Sequence, residues 1–93
     1  MTKPTDTPSL PAPRVLVVED DPLVRRSLAE WLGVVGWSVE QAESGAAALA
    51  RLRQDLPDVV LSDVRMPGMS GIDLLKKIRE AQPEIEVIVI TAH

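Results

Sequence analysis

Apolar residues fall along this chain in two alternating rhythms. Residues 15–18 (VLVV) form a short unbroken apolar run, closed by Glu19-Asp20-Asp21. Unbroken apolarity over so few residues predicts a strand covered on both faces, as in a parallel sheet. Val24, Leu28, Trp31, Leu32 and Val35 then recur at helical spacing, with Arg25, Arg26 and Glu30 on the other face. Pro22 sits where that helix should begin, Asp21 stands before it as a candidate N-cap, and Gly36 should end it. Residues 37–41 alternate instead, Trp37 and Val39 against Ser38 and Glu40, which predicts a strand with one wet face at a sheet edge. Ser44 is placed to cap a second helix carrying Ala46, Ala47, Ala48, Leu49 and Leu52, which Pro57 stops. Residues 59–61 (VVL) are a further continuous strand leading into Asp63. Ser70 is placed to cap a third helix carrying Ile72, Leu74, Leu75 and Ile78, ended near Pro83. Residues 87–90 (VIVI) are the last strand, followed by Thr91-Ala92-His93.

The resulting order, β-α-β-α-β-α-β, predicts an α/β fold: a doubly wound parallel sheet with right-handed crossovers and helices on both faces. All carboxyl ends of the strands then share one rim, where ligands of open α/β sheets bind beside the reversal of strand order. With the second strand at an edge, the first lies between the second and third. Neighbouring strands are ~4.8 Å apart, so the first acidic cluster and Asp63 should share a pocket. Crowded carboxylates raise one another's pKa unless a cation neutralises them. An oxygen-rich, water-accessible site suits Mg2+. Asp63 then becomes a nucleophile towards phosphorus, with the cation screening the phosphoryl oxygens and the Thr91 hydroxyl able to donate to one of them.

Each residue also has a plainer reading. Asp21 beside Pro22 is read as a helix cap. Asp63 is also a common turn former, and Thr91 a common strand residue. Arg25, Arg26, Lys76 and Lys77 are read as solvated helix faces, and Trp31 and Trp37 as packing. The case for chemistry rests on three strand tips meeting on one rim.

Composition narrows the partners. The chain of 93 residues carries a net charge of −4 with no basic run, and its only aromatics are Trp31 and Trp37. That argues against nucleic-acid or anionic-lipid binding by this segment. Absence of Cys rules out disulfides and thiolate metal sites. Residues 1–13, rich in Pro and Thr, are expected to be a flexible leader; they lack the apolar core of a signal peptide. No stretch approaches the ~20 apolar residues of a membrane span, and a cytoplasmic location is expected.

The segments VLVVEDDP, SDVRMPGMSGIDLL and VIVITA, in this order and spacing, resemble the receiver (phosphoacceptor) domain of bacterial two-component response regulators. The resemblance covers residues 14–93, and the wording is similar to regulators of the NtrC type, including the C4-dicarboxylate transport regulator. It implies a flavodoxin-like (CheY-like) fold and a signalling domain rather than a turnover enzyme. It also implies that Asp63 accepts a phosphoryl group from a sensor histidine kinase. Asp20 is implied as a direct Mg2+ ligand, Glu19 as a ligand through water, and the main-chain carbonyl of Arg65 as completing the protein's share. Thr91 matches the hydroxyl residue that turns towards the phosphate, while Pro67 and Gly71 shape the loop beneath it. A homodimer is allowed, and a full-length parent could bind DNA through another domain.

The pattern also departs from the family. Helix 4, strand 5 with its Lys and aromatic switch residue, and helix 5 have no counterpart, so a C-terminally truncated receiver is expected. Slow or undetectable phosphorylation and an exposed apolar edge at residues 87–90 are expected with it. Two rivals stay open. One is a Mg2+-dependent phosphohydrolase with an aspartyl intermediate, against which Arg65 stands where a second Asp would be needed. The other is a receiver-like interaction module that is not phosphorylated.

Overall fold

The computed structural model describes residues 11–91. Of the expected leader, residues 1–10 lie outside the described residues, as do Ala92 and His93. Seven elements alternate: β1 (Arg14–Val18), α1 (Pro22–Val34), β2 (Ser38–Ala42), α2 (Gly45–Gln54), β3 (Val59–Asp63), α3 (Gly71–Ala81) and β4 (Glu86–Ile90). The strands are all parallel, in the order β2-β1-β3-β4. This is the flavodoxin-like, CheY-like arrangement that the periodicity and the resemblance led to.

The continuous apolar run of β1 is explained by its central place. Leu16 and Val18 enter one core with Ala48 and Leu52 of α2 and Leu74 and Ile78 of α3. Val15 and Val17 face the other way, against Leu32 of α1. Burial on both faces is what an unbroken apolar strand requires. Strand β2 lies at one edge, as its alternation predicts, and β4 lies at the other.

Two details differ from the sequence expectation. Strand β2 runs one residue later than 37–41, because the Trp37 N–H bonds back to the Leu32 carbonyl at 3.0 Å and holds Trp37 in the turn. Trp31 and Val35, expected on the inner stripe of α1, are 62 % and 53 % exposed. The inward line of α1 runs through the half-buried Val24 and Leu28 to the buried Leu32. Trp31 lies about 100° around the helix from Leu32, and Val35 is already the C-cap.

The helix ends are written into the sequence. The Asp21 carboxylate accepts from the Leu23 and Val24 N–H groups at 2.9 and 3.4 Å. Ser44 caps α2 through the Ala47 N–H, and Ser70 with Asp73 forms a reciprocal capping box on α3. Gly36, just past α1, has φ +109°, a conformation that disfavours any Cβ.

Candidate functional site

Strand order reverses between β1 and β3: the chain steps from β1 outward to β2, then back across β1 to β3. Val15 to Val18 pair in register with Val59 to Ser62, so Glu19 and Asp63 each follow the last paired residue. The topology thereby sets one carboxylate beside the other at the carboxyl rim. Carboxylate oxygens of Glu19, Asp20 and Asp63 all lie within 4.8 Å of one another. Glu19 and Asp63 are 1 % and 2 % exposed, while Asp20 is open to solvent. Asp21 is not part of this group; its side chain is spent on the helix cap.

This pocket is electrostatically incomplete by itself. Unit like charges that close repel by roughly 3–4 kcal/mol at an effective dielectric of about 20. Burial pushes the Glu19 carboxyl above its ordinary value. The Asp21 N–H, 2.9 Å from Oε2, pulls the other way, while the neighbouring Asp20 and Asp63 carboxylates raise it further. Its Oε1 is buried with no hydrogen-bond partner among the described residues. A buried carboxylate oxygen without a donor is costly. The donor set is all oxygen and one member is open to water, so the three residues fit a hard divalent cation such as Mg2+.

The loop after β3 is held by its backbone. The Val64 N–H bonds the Ile90 carbonyl at 2.8 Å, and the Gly71 N–H bonds the Val64 carbonyl at 3.0 Å. A Cβ on Gly71 would overlap the Asp63 carbonyl oxygen, so this close approach requires glycine. Gly68 has φ +81° in the same loop. The Arg65 N–H reaches Asp63 Oδ1 at 3.3 Å, and Ser62 Oγ donates to the Asp63 carbonyl at 3.0 Å. Thr91 is exposed and follows Ile90, the register partner of Asp63. The structure thus brings Glu19, Asp20 and Asp63 together, places the Arg65 peptide against Asp63, and sets Thr91 at the end of the adjoining strand.

One residue near this site was read as a solvated face and is not. Arg25 Nη1 donates to the Glu19 carbonyl at 2.8 Å, and the side chain is half-buried. The available signal was directional: helical side chains tilt towards the helix N-terminus. A long donor in the first turns of α1 can therefore reach the residue before the helix. Volume does not mark the chemistry either. A recess of ≈ 650 Å³ lies between Ser44, Pro67, Met69 and Lys76, and none of Glu19, Asp20 and Asp63 lines it.

Comparison with known proteins agrees with this geometry. The sequence profile of the response regulator receiver domain matches residues 15–93. NtrC of Escherichia coli is 46 % identical over 79 residues, which are 85 % of this chain and 17 % of that protein. The probable transcriptional regulatory protein TcrX of Mycobacterium tuberculosis is 41 % identical over 78 residues, 84 % of this chain and 33 % of that one. The chain thus spans a third or less of the length of these relatives. Response regulator TrrA of Thermotoga maritima, crystallised in complex with Mg2+–BeF, superposes with a TM-score of 0.83 at 36 % identity, covering 87 % of this chain and 70 % of that one. TrrA in complex with histidine kinase ThkA gives a TM-score of 0.81 at 36 % identity, with 86 % and 69 % covered. The chain belongs to the response regulator receiver family: it is a receiver domain of the two-component kind, a signalling domain. Among the described residues, no helix is long and apolar enough to cross a membrane.

Proposed function

We propose that Asp63 is the phosphoacceptor of this receiver domain and that it takes its phosphoryl group from a sensor histidine kinase. The observation that carries the reading is the meeting of the Glu19, Asp20 and Asp63 oxygens within 4.8 Å at the switch point of the sheet. The kinase complex of TrrA, a relative of the same fold, supports the choice of partner.

Glu19, Asp20, Asp63 and the main-chain carbonyl of Arg65 are the groups that would hold Mg2+. When bound, Mg2+ supplies charge neutralisation at phosphoryl oxygens and so lets an anionic nucleophile and an anionic donor approach. The rest falls to the chain itself. An Asp63 carboxylate oxygen attacks phosphorus, and an O–P bond forms as the P–N bond to the kinase imidazole breaks. The imidazole leaves with the electron pair and takes up a proton from water. The Arg65 N–H, already directed at Asp63 Oδ1, orients the carboxylate. Ser62 Oγ and Gly71 fix the peptide behind it, so the nucleophile is positioned before the donor arrives. Thr91, next along from the residue paired with Asp63, would donate its hydroxyl to the new phosphoryl group and report it along β4; its position beside the paired residue supports this reading.

The test is intact-mass spectrometry after incubation with a small acyl phosphate and Mg2+. One phosphoryl group should add to the chain, and the addition should vanish with EDTA and in Asp63→Asn. Labelling that persists in Asp63→Asn would place the acceptor elsewhere.

A further inference from the structure

The loop carrying the acidic residues is held from α1. The Glu19 N–H bonds the Ala42 carbonyl at the end of β2 at 3.1 Å, and the Glu19 carbonyl accepts from Arg25 Nη1 at 2.8 Å. Both polar groups of the residue are thereby fixed, one by the neighbouring strand and one by the helix. Its carboxylate is fixed as well, by the Asp21 N–H at 2.9 Å. Asp20 follows directly and is exposed, and its backbone leaves from the peptide whose carbonyl Arg25 holds. Arg25 itself forms no ion pair among the described residues; its guanidinium is committed to a main-chain carbonyl.

We propose that Arg25 is a positioning residue for the acidic pocket: by holding the Glu19 carbonyl it aims Asp20 and Glu19 at Asp63 and so sets the affinity for a divalent cation. This rests on the reading of Glu19, Asp20 and Asp63 as a cation site. In this role Arg25 acts through the Glu19 carbonyl and not on the cation or the phosphoryl group. Its two physical effects have opposite signs, which makes the role testable. As a positive charge bonded to the main chain of the acidic loop, it disfavours cation binding, so removing it should tighten binding. As the clamp on their backbone, it favours binding, so removing it should weaken binding. A merely solvated arginine would show only the first effect.

The experiment is titration with Mn2+, read by the loss of the free-ion electron paramagnetic resonance signal, on the unaltered chain and its variants. Arg25→Met keeps the apolar stem and removes the donor. It should weaken Mn2+ binding roughly tenfold, the low end of what losing an outer-shell partner costs, whereas Arg25→Lys should stay within about threefold. The metal-free amide resonances of Glu19 and Asp20 should shift in Arg25→Met and largely return in Arg25→Lys. If Arg25→Met does not fold, Arg25→Gln decides by the same sign, weaker for a clamp and tighter for a charge alone. Unchanged or tighter binding in the variant, with saturable binding by the unaltered chain, overturns the clamp and leaves the cation site standing. Absence of saturable Mn2+ binding by the unaltered chain overturns both.

Discussion

Glu19 is the residue at which burial and charge pull apart. Its backbone continues the β1–β2 ladder and its side chain is buried, yet Oε1 has no hydrogen-bond partner among the described residues. A core built for stability alone would not leave a carboxylate oxygen there. The raised Glu19 pKa has a definite consequence for stability. Well below the ordinary value of 4.5 the group is protonated in both states and its contribution is present in full. As pH rises from there through the folded-state value, the folded chain resists losing the proton and stability falls. Glu19→Gln should remove that decline. In EDTA at neutral pH it should stabilise the chain by on the order of 1 kcal/mol, in the range typical of a relieved charge conflict. It should also diminish the rise in melting temperature produced by Mg2+. Urea unfolding across pH, with and without Mg2+, measures all of this, and a Glu19→Gln chain less stable than the parent in EDTA would contradict it. At the opposite rim the sign reverses. The Arg14 guanidinium, bonded to Asp55 at 2.6 and 3.0 Å, holds the Asp55 carboxyl below its ordinary 3.8. That stabilisation is present above 3.8 and is lost as pH falls through the folded-state value; the pair is solvent-exposed, so the effect is small.

Among elements, α1 shows how close structural and chemical carboxylates can lie in sequence. Glu19, Asp20 and Asp21 are consecutive, yet the first two face Asp63 and the third caps the helix. Pro22 separates the roles: it starts the helix, and the residue before it must supply the cap. Asp21→Ala should therefore cost about 0.5–2 kcal/mol of stability, the usual cost of a lost cap, while leaving Mn2+ affinity nearly intact. Asp20→Asn should do the reverse, abolishing cation binding with no loss of stability in EDTA. Denaturant unfolding and metal titration on the two variants separate the roles, and a crossed result would exchange them. The cap was legible because it depends on local sequence alone. So were the strand identities and β2 at an edge, since continuous and alternating apolarity report how many faces are covered. The approach of Asp63 to the first acidic cluster was legible too, because topology and strand spacing impose it. The Arg25–Glu19 bond was not, since it depends on the direction of one long side chain. Nor was the exposure of Trp31, where helical periodicity alone does not give the width of the buried stripe.

The whole sheet gives the two edges different characters. Strand β2 is guarded: Ser38, Glu40 and Gln41 break its apolar run, and Glu40 pairs with Arg14 and Arg51 at 3.6 and 3.7 Å. Strand β4 reads EVIVI, and Ile88 is 46 % exposed. Its ladder to β3 is satisfied from Glu86 to Ile90, and β4 stands last in the sheet described here. An apolar edge with no charge between Val87 and Ile90 is a template for strand pairing. The 93-residue chain should therefore self-associate as its concentration rises, through β4. Ile88→Lys places a charge in the middle of that edge. Because Ile88 is only about half buried, the substitution should cost about 1 kcal/mol of stability, some half of a fully buried Ile, while moving the chain towards monomer. Sedimentation velocity across a concentration series measures the association, and Mn2+ titration of the same variant checks that the acidic rim is untouched. Association that survives Ile88→Lys unchanged would shift attention to the exposed Leu23, Trp31 and Val34 of α1. The two surfaces are separable because α1 contributes no strand edge: a β4 contact extends the sheet and adds strand signal in the infrared amide band, whereas a helix-face contact does not.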